Sequence, residues 1–196
     1  MKPTLPLLAV AFALVAAPVS AGNTLIPAGR RVAVAKSTLT VAPPSEWNKL
    51  GARPGRNSET WTIDGDALND LTFYGGIPAG KTLFREVDRK NRPLPKVSAT
   101  MLVTDIPALV ENSYRVALNT PLFTVDTLEP ALFAGRQGVR FTYSFTRPGE
   151  DLPRKGEARA ALVGGKLYMI TFEAPRLHFF DRSVEAFRKV ADTAKV

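Results

Sequence analysis

The apolar and polar positions change period along the chain, and those changes mark its elements. Between residues 139 and 146, Val139, Phe141, Tyr143 and Phe145 alternate with Arg140, Thr142, Ser144 and Thr146. A period of two sends the two sets to opposite faces, which predicts a half-buried strand. Residues 158–163 and 166–172 are apolar runs parted by Gly164-Gly165. Two glycines can take the positive φ angles of a tight hairpin turn. The second run, Leu167-Tyr168-Met169-Ile170-Thr171-Phe172, is apolar on both faces and predicts a central strand with a layer on each side. Nearer the start, residues 32–41 predict an extended strand rich in β-branched residues, ended by Pro43-Pro44. Residues 60–63 and 71–74 predict two more strands around the turn residues Asp64-Gly65-Asp66. Trp47 is expected to lid one edge of the core.

Elsewhere the period lengthens. Ile106, Leu109, Val110, Tyr114, Ala117 and Leu118 share one face of a helix that Thr104 or Asp105 can cap. A second helix is predicted from Asp181, with Val184, Phe187, Val190, Ala191 and Ala194 inward and Arg182, Glu185, Arg188 and Lys189 outward. Residues 85–96 are basic, contain Pro93 and Pro95, and predict a loop. Residues 147–155 are mixed in sign and predict a hairpin connection.

Strands in hairpin-sized neighbours imply a mostly antiparallel sheet. Helices that are few and separate the strand groups make the fold α+β, with the sheet flanked by helices as an α/β/α sandwich. The expected organisation is a cleaved signal peptide over 1–21, an irregular N-terminal arm over 22–30 and a single α+β domain over 31–196. The leader reading rests on Lys2, the apolar run Leu5–Ala17 and the small residues Val19-Ser20-Ala21. That run is shorter than the roughly 20 residues of a membrane span. Phe141, Tyr143, Tyr168, Ile170, Phe172 and Phe187 are expected to lie in one packed core.

The succession of a strand, a Trp after a Pro-containing turn, hairpin strands, a mid-chain helix, three strands and a closing helix resembles the PsbP-like α/β/α sandwich. The segment Gly165-Lys166-Leu167-Tyr168-Met169-Ile170-Thr171-Phe172-Glu173-Ala174-Pro175, followed by a terminal helix, is similar to the end of bacterial domains in that group. It also resembles small secreted proteins of alphaproteobacteria. The resemblance implies a binding or assembly accessory rather than an enzyme, and it supplies no site motif.

Composition adds an address and a sign. There is no cysteine, so neither a disulfide nor a lipoprotein-type thioether anchor is available. The net charge is +8 at pH 7, and only one of its cations, Lys2, falls in the leader. Such a balance favours anionic partners: an envelope protein or an anionic surface. No zinc-finger spacing or aromatic RNA-reading motif points to nucleic acid, and no second apolar segment is long enough to cross a bilayer. The candidate binding residues are Arg85, Arg89, Lys90, Arg92 and Lys96, offset only by Glu86 and Asp88 and flanked by Phe84 and Leu94.

Three patterns bear on chemistry. Gly75-Gly76-Ile77-Pro78-Ala79-Gly80-Lys81-Thr82 satisfies the phosphate-loop string, but such a loop needs a helix N-terminus behind it, and the following residues predict none. Asp64, Asp66, Asn69 and Asp70 place oxygen ligands close together without the spacing of a calcium loop, and turn residues explain the same letters. His178 is the only histidine, with no cysteine and no nucleophile-elbow serine to partner it. The expectation is a secreted or periplasmic, non-enzymatic binding or accessory protein of the cell envelope, with no catalytic residue, metal or cofactor assigned. The alternative is a small hydrolase using His178 or an oxygen-ligand metal site.

Overall fold

A computed structural model describes residues 22–66 and 68–196; the expected leader, 1–21, lies outside the described residues. The strands are β1 (Thr24–Ile26), β2 (Val32–Ala33), β3 (Thr40–Val41), β4 (Trp47–Lys49), β5 (Ser58–Thr62) and β6 (Asp70–Pro78). A 3-10 turn, Val103–Asp105, leads into α1 (Ile106–Ala117). Four long strands follow: β7 (Phe123–Phe133), β8 (Arg136–Phe145), β9 (Arg154–Val163) and β10 (Lys166–Pro175), and α2 (Phe179–Asp192) comes last. Eight strands form one sheet in the order β1-β4-β5-β6-β10-β9-β8-β7, every neighbouring pair antiparallel, and β2 pairs with β3 in a separate small hairpin. This is the predicted α+β sandwich, with α1 on one face and α2 on the other.

The doubly apolar run is the centre. β10 pairs with β6 on one side and β9 on the other, and Leu167 to Ala174 are all buried. Gly164 and Gly165, at φ 57° and 71°, make the tight turn that returns β9 into β10. Because alternate residues along a strand face opposite ways, the expected single core is in fact two. Tyr168, Ile170 and Phe172 pack with Phe187 of α2, whereas Phe141 and Tyr143 belong to the layer beneath α1 with Leu167 and Met169.

Four further expectations are corrected. The 22–30 arm is not wholly irregular: Thr24–Ile26 adds an edge strand to β4. Trp47 is not a lid but is wholly buried, in the cluster that holds Trp61. Asp105 stands at the N-cap of α1, yet its carboxylate accepts the Leu102 amide at 2.9 Å and so closes the preceding 3-10 turn rather than the first turn of α1. Four strands, not the expected three, stand between the helices: β7 carries no clear alternation, because it is an outer edge strand with a register shift after Val125 and Pro130 in its length. A proline is tolerated on an edge, where its missing N–H leaves no ladder bond unmade. Among the described residues no helix is long and apolar enough to cross a membrane.

Candidate functional site

The antiparallel register places four residues in one row across the sheet, on the face that α1 covers. Tyr143 of β8 lies opposite Gly156 of β9, Gly156 opposite Glu173 of β10, and Glu173 opposite Asp70 of β6. Gly156 is what makes the row work. A Cβ there would stand 2.3 Å from the Tyr143 ring. With only hydrogen at that position, the ring lies across β9 and its hydroxyl donates to Glu173 Oε1 at 2.7 Å. Tyr114, delivered by the inward face of α1, donates to the same oxygen. Tyr114 and Tyr143 themselves sit among Phe123 and Phe145 in an aromatic cluster, with ring centroids 5.1 to 6.1 Å apart. That packing fixes where both hydroxyls point.

The other side of Glu173 faces Arg147 of the β8–β9 connection. Arg147 Nη2 lies 2.9 Å from Asp70 Oδ2 and 3.8 Å from Glu173 Oε2, so one guanidinium is shared by two carboxylates. Arg154, almost wholly buried, stands 3.9 Å from Asp70 and 3.7 Å from Glu150. Burial, reinforced by repulsion from Glu173, pushes the Asp70 carboxyl up to about 6, and Arg147 and Arg154 only partly oppose it. Burial first, and Glu173 second, also push the hydroxyls of Tyr74, Tyr114 and Tyr143 well above the ordinary tyrosine range. These phenols therefore stay protonated, and Tyr114 and Tyr143 act as donors toward the Glu173 carboxylate.

Asp70, Tyr74, Tyr114, Arg147 and Glu173 line the floor of a cleft of about 420 Å³, with Tyr143 and Arg154 behind it. Arg53, Thr60, Asp70, Thr72, Tyr74, Arg85, Tyr114, Arg147 and Glu173 supply its polar surface, and Leu50, Pro54, Phe84, Val87 and Leu118 wall it with apolar surface. A few convergent polar groups under apolar walls is the usual make-up of a small-molecule pocket.

The sequence-predicted residues end up in several places. Of the basic set, Arg85 lines this cleft. Arg92 turns away and donates to the Val116 carbonyl at 2.7 Å, near the C-terminal end of α1, where a cation suits the helix dipole. Arg89 and Lys90 are exposed in the turn that Asp88 organises by accepting from Asn91, and Lys96 pairs with Thr82 in an isolated bridge. The phosphate-loop string is the end of β6 and the turn after it, with no helix behind it. Its first glycine allows close approach, since a Cβ at Gly75 would stand 2.1 Å from Ser37 Oγ.

In the acidic turn, Asp64 accepts from the Asn69 amide at 2.6 Å and pairs with Arg182 at 2.5 Å. Asn69 Oδ1 accepts from Thr62 and the Ile63 amide. The turn is thus organised by internal partners, and Asp70 faces the cleft instead. His178 is exposed, lines neither the cleft nor its carboxylate row, and has a ring contact with Phe179. The 147–155 connection, expected as a plain hairpin loop, supplies Arg147 and Arg154 to the row.

No protein-family model matches the chain, and no curated protein matches it significantly. Its fold is similar to the solution structure of cyanobacterial PsbP (CyanoP) from Synechocystis sp. PCC 6803, at a TM-score of 0.55 and 17% identity over 95% of this chain and 98% of that one. The crystal structure of LpqN, involved in cell envelope biogenesis of Mycobacterium tuberculosis, aligns over 88% of this chain and 90% of its own at 10% identity. Its TM-score is 0.36. The likeness to CyanoP establishes a PsbP-like fold, as the order of elements predicts.

Proposed function

We propose that this chain is an exported, non-enzymatic binding protein of the cell envelope whose ligand sits in the acid–tyrosine cleft. Export rests on the leader-like residues 1–21. The cleft is supported by one observation above the others: Glu173 accepts two phenol hydroxyls on Oε1 and faces the Arg147 guanidinium with Oε2 at 3.8 Å. A carboxylate locked in that way holds a shape and a field, whereas a general acid or base must reach a substrate's proton. The apolar walls suit a ligand with an apolar body. Asp70, at the floor beside Arg147, suits a hydrogen-bond donor on that ligand.

The test is native mass spectrometry of the protein recovered from its own envelope, alongside an Ala117→Trp variant. Ala117 is an exposed rim residue of the cleft, so a bulky ring there blocks the cleft without entering the core. A bound small molecule present in the natural protein and lost in the variant supports the reading. Retention of that molecule by the variant sinks it. So does the absence of any adduct together with consumption of a small ester or glycoside by the natural protein.

A further inference from the structure

At the end of the sheet next to the cleft, a second cavity of about 770 Å³ has the opposite character. Its charged lining consists of Lys36, Arg53, Arg56, Lys81, Arg85 and Lys166, with Glu86 the one acidic side chain among them. These cations come from four separate parts of the chain. Lys36 is held by the β2–β3 hairpin, where Ala35 and Lys36 both adopt left-handed backbone at φ 54° and 52°. Arg53 and Arg56 belong to the β4–β5 connection, and Lys81 and Arg85 to the segment after β6. Lys166 opens β10 directly after the Gly164-Gly165 turn, opposite Pro78.

We infer that this cavity is a binding site for a ligand bearing phosphoryl groups. The first reason is the shortage of counter-charge. Arg115, Arg140, Arg159, Arg182 and Arg188 each face a carboxylate. In the cavity Arg53 alone has one, Glu59 at 3.8 Å, and Glu59 is shared with Lys49 at 3.2 Å. Among the described residues, Lys36, Arg56, Lys81, Arg85 and Lys166 make no ion pair within 4 Å. Gathering like charges from four segments without partners works against the folded state, and an anion relieves it.

The second reason is chemical fit. Three guanidinium forks offer paired N–H donors matched to phosphoryl oxygens, and three ammonium groups add charge around them. The cavity is far larger than a single inorganic anion, so it has room for more than one phosphoryl group. Lys81 and Thr82, the last residues of the phosphate-loop string, both line it. The lysine therefore serves a phosphate through a cup of side chains, without the helix N-terminus that a nucleotide loop uses. This inference does not rest on the occupant proposed for the acid–tyrosine cleft, with which the cavity shares Arg53 and Arg85.

Phosphoryl groups reach such a site either on a soluble ligand or on a lipid headgroup, and two arms separate them. One is calorimetric titration of the full chain with inorganic pyrophosphate. The other is flotation with phosphatidylcholine vesicles made with and without phosphatidylglycerol. Saturable binding in either arm is expected, about tenfold or more weaker in the Lys81→Ala/Lys166→Ala double variant and tighter in Glu86→Gln. Lys189→Ala, on the outer face of α2, is the control and should bind as the natural protein does. Pyrophosphate binding identifies a soluble ligand, and phosphatidylglycerol-dependent flotation alone identifies a headgroup. The inference is overturned by no binding in either arm, by binding that the double variant leaves unchanged, or by an equal loss in Lys189→Ala, which signals diffuse charge attraction. All three variants alter side chains with no carboxylate partner or a lone acid, and their far-ultraviolet circular dichroism should match the natural protein.

Discussion

Two neighbouring cavities of this protein treat charge in opposite ways. In the acid–tyrosine cleft every carboxylate has an internal answer: two phenols and an arginine for Glu173, the same arginine for Asp70. In the basic cavity six cations meet one acid. Arg53 and Arg85 line both, so the contrast lies along one continuous surface. A network satisfied from within contributes to the fold and fixes a geometry, whereas a set of charges left open waits for something outside. Substitutions in the first should therefore be read in stability, and substitutions in the second in binding.

The largest expected effect is at Glu173. Glu173→Ala leaves two buried phenols without their acceptor, and Arg147 with Asp70 as its remaining close partner, and should destabilise by about 3–5 kcal/mol in urea denaturation. A loss below about 1 kcal/mol would erase the distinction between the two cavities. Tyr143→Phe removes one charge-assisted hydrogen bond and keeps the ring packing, so about 1.5–3 kcal/mol is expected by the same assay.

Asp70 gives the sign test. Its folded value, about 6, lies above the ordinary 3.8, so the native state holds a proton that the unfolded chain releases earlier. Its contribution is fully present below about pH 4 and is lost as pH rises through about 6. Asp70→Asn should remove that decline and stabilise the protein above pH 7 by on the order of 1–2 kcal/mol, the lost Arg147 pairing offsetting part of the gain. Stability curves from pH 4 to 8 for both proteins check it; parallel curves would show that the carboxyl is not raised. The smallest effect belongs to the open cavity: Lys81→Ala should shift stability by less than about 0.5 kcal/mol in the absence of ligand.

What could be read in the chain follows from how local each feature is. The Gly164-Gly165 turn, the doubly apolar β10 and the 3.6-residue faces of both helices are written in consecutive residues, and with them the sandwich. The division of the core into two layers was readable from the alternation along β10. It was obscured because Phe141 and Phe172 look alike as letters. The carboxylate row is different, since Asp70, Tyr114, Tyr143, Gly156 and Glu173 become neighbours only through strand register. One at a time they read as a turn residue, helix and strand core positions, a loop-edge glycine and a strand end. The available signal was Glu173, an acid closing an otherwise apolar run. The basic cavity was half visible: Lys81 and Arg85 stood out, but Lys36, Arg53, Arg56 and Lys166 join them only in the fold.

The pairing of β6 with β10 also governs when the molecule can exist. It joins Asp70 to Glu173, about 100 residues apart, and it is the seam that unites the two halves of the sheet. Until β10 has been synthesised, β1, β4, β5 and β6 form only a narrow ribbon whose β6 edge is unpaired. A sheet closed by such a distant contact belongs with topologies that fold slowly, because the loop must be ordered before the contact repays it. The nascent chain consequently spends its early life with that seam open, and its maturation begins where the last strand arrives.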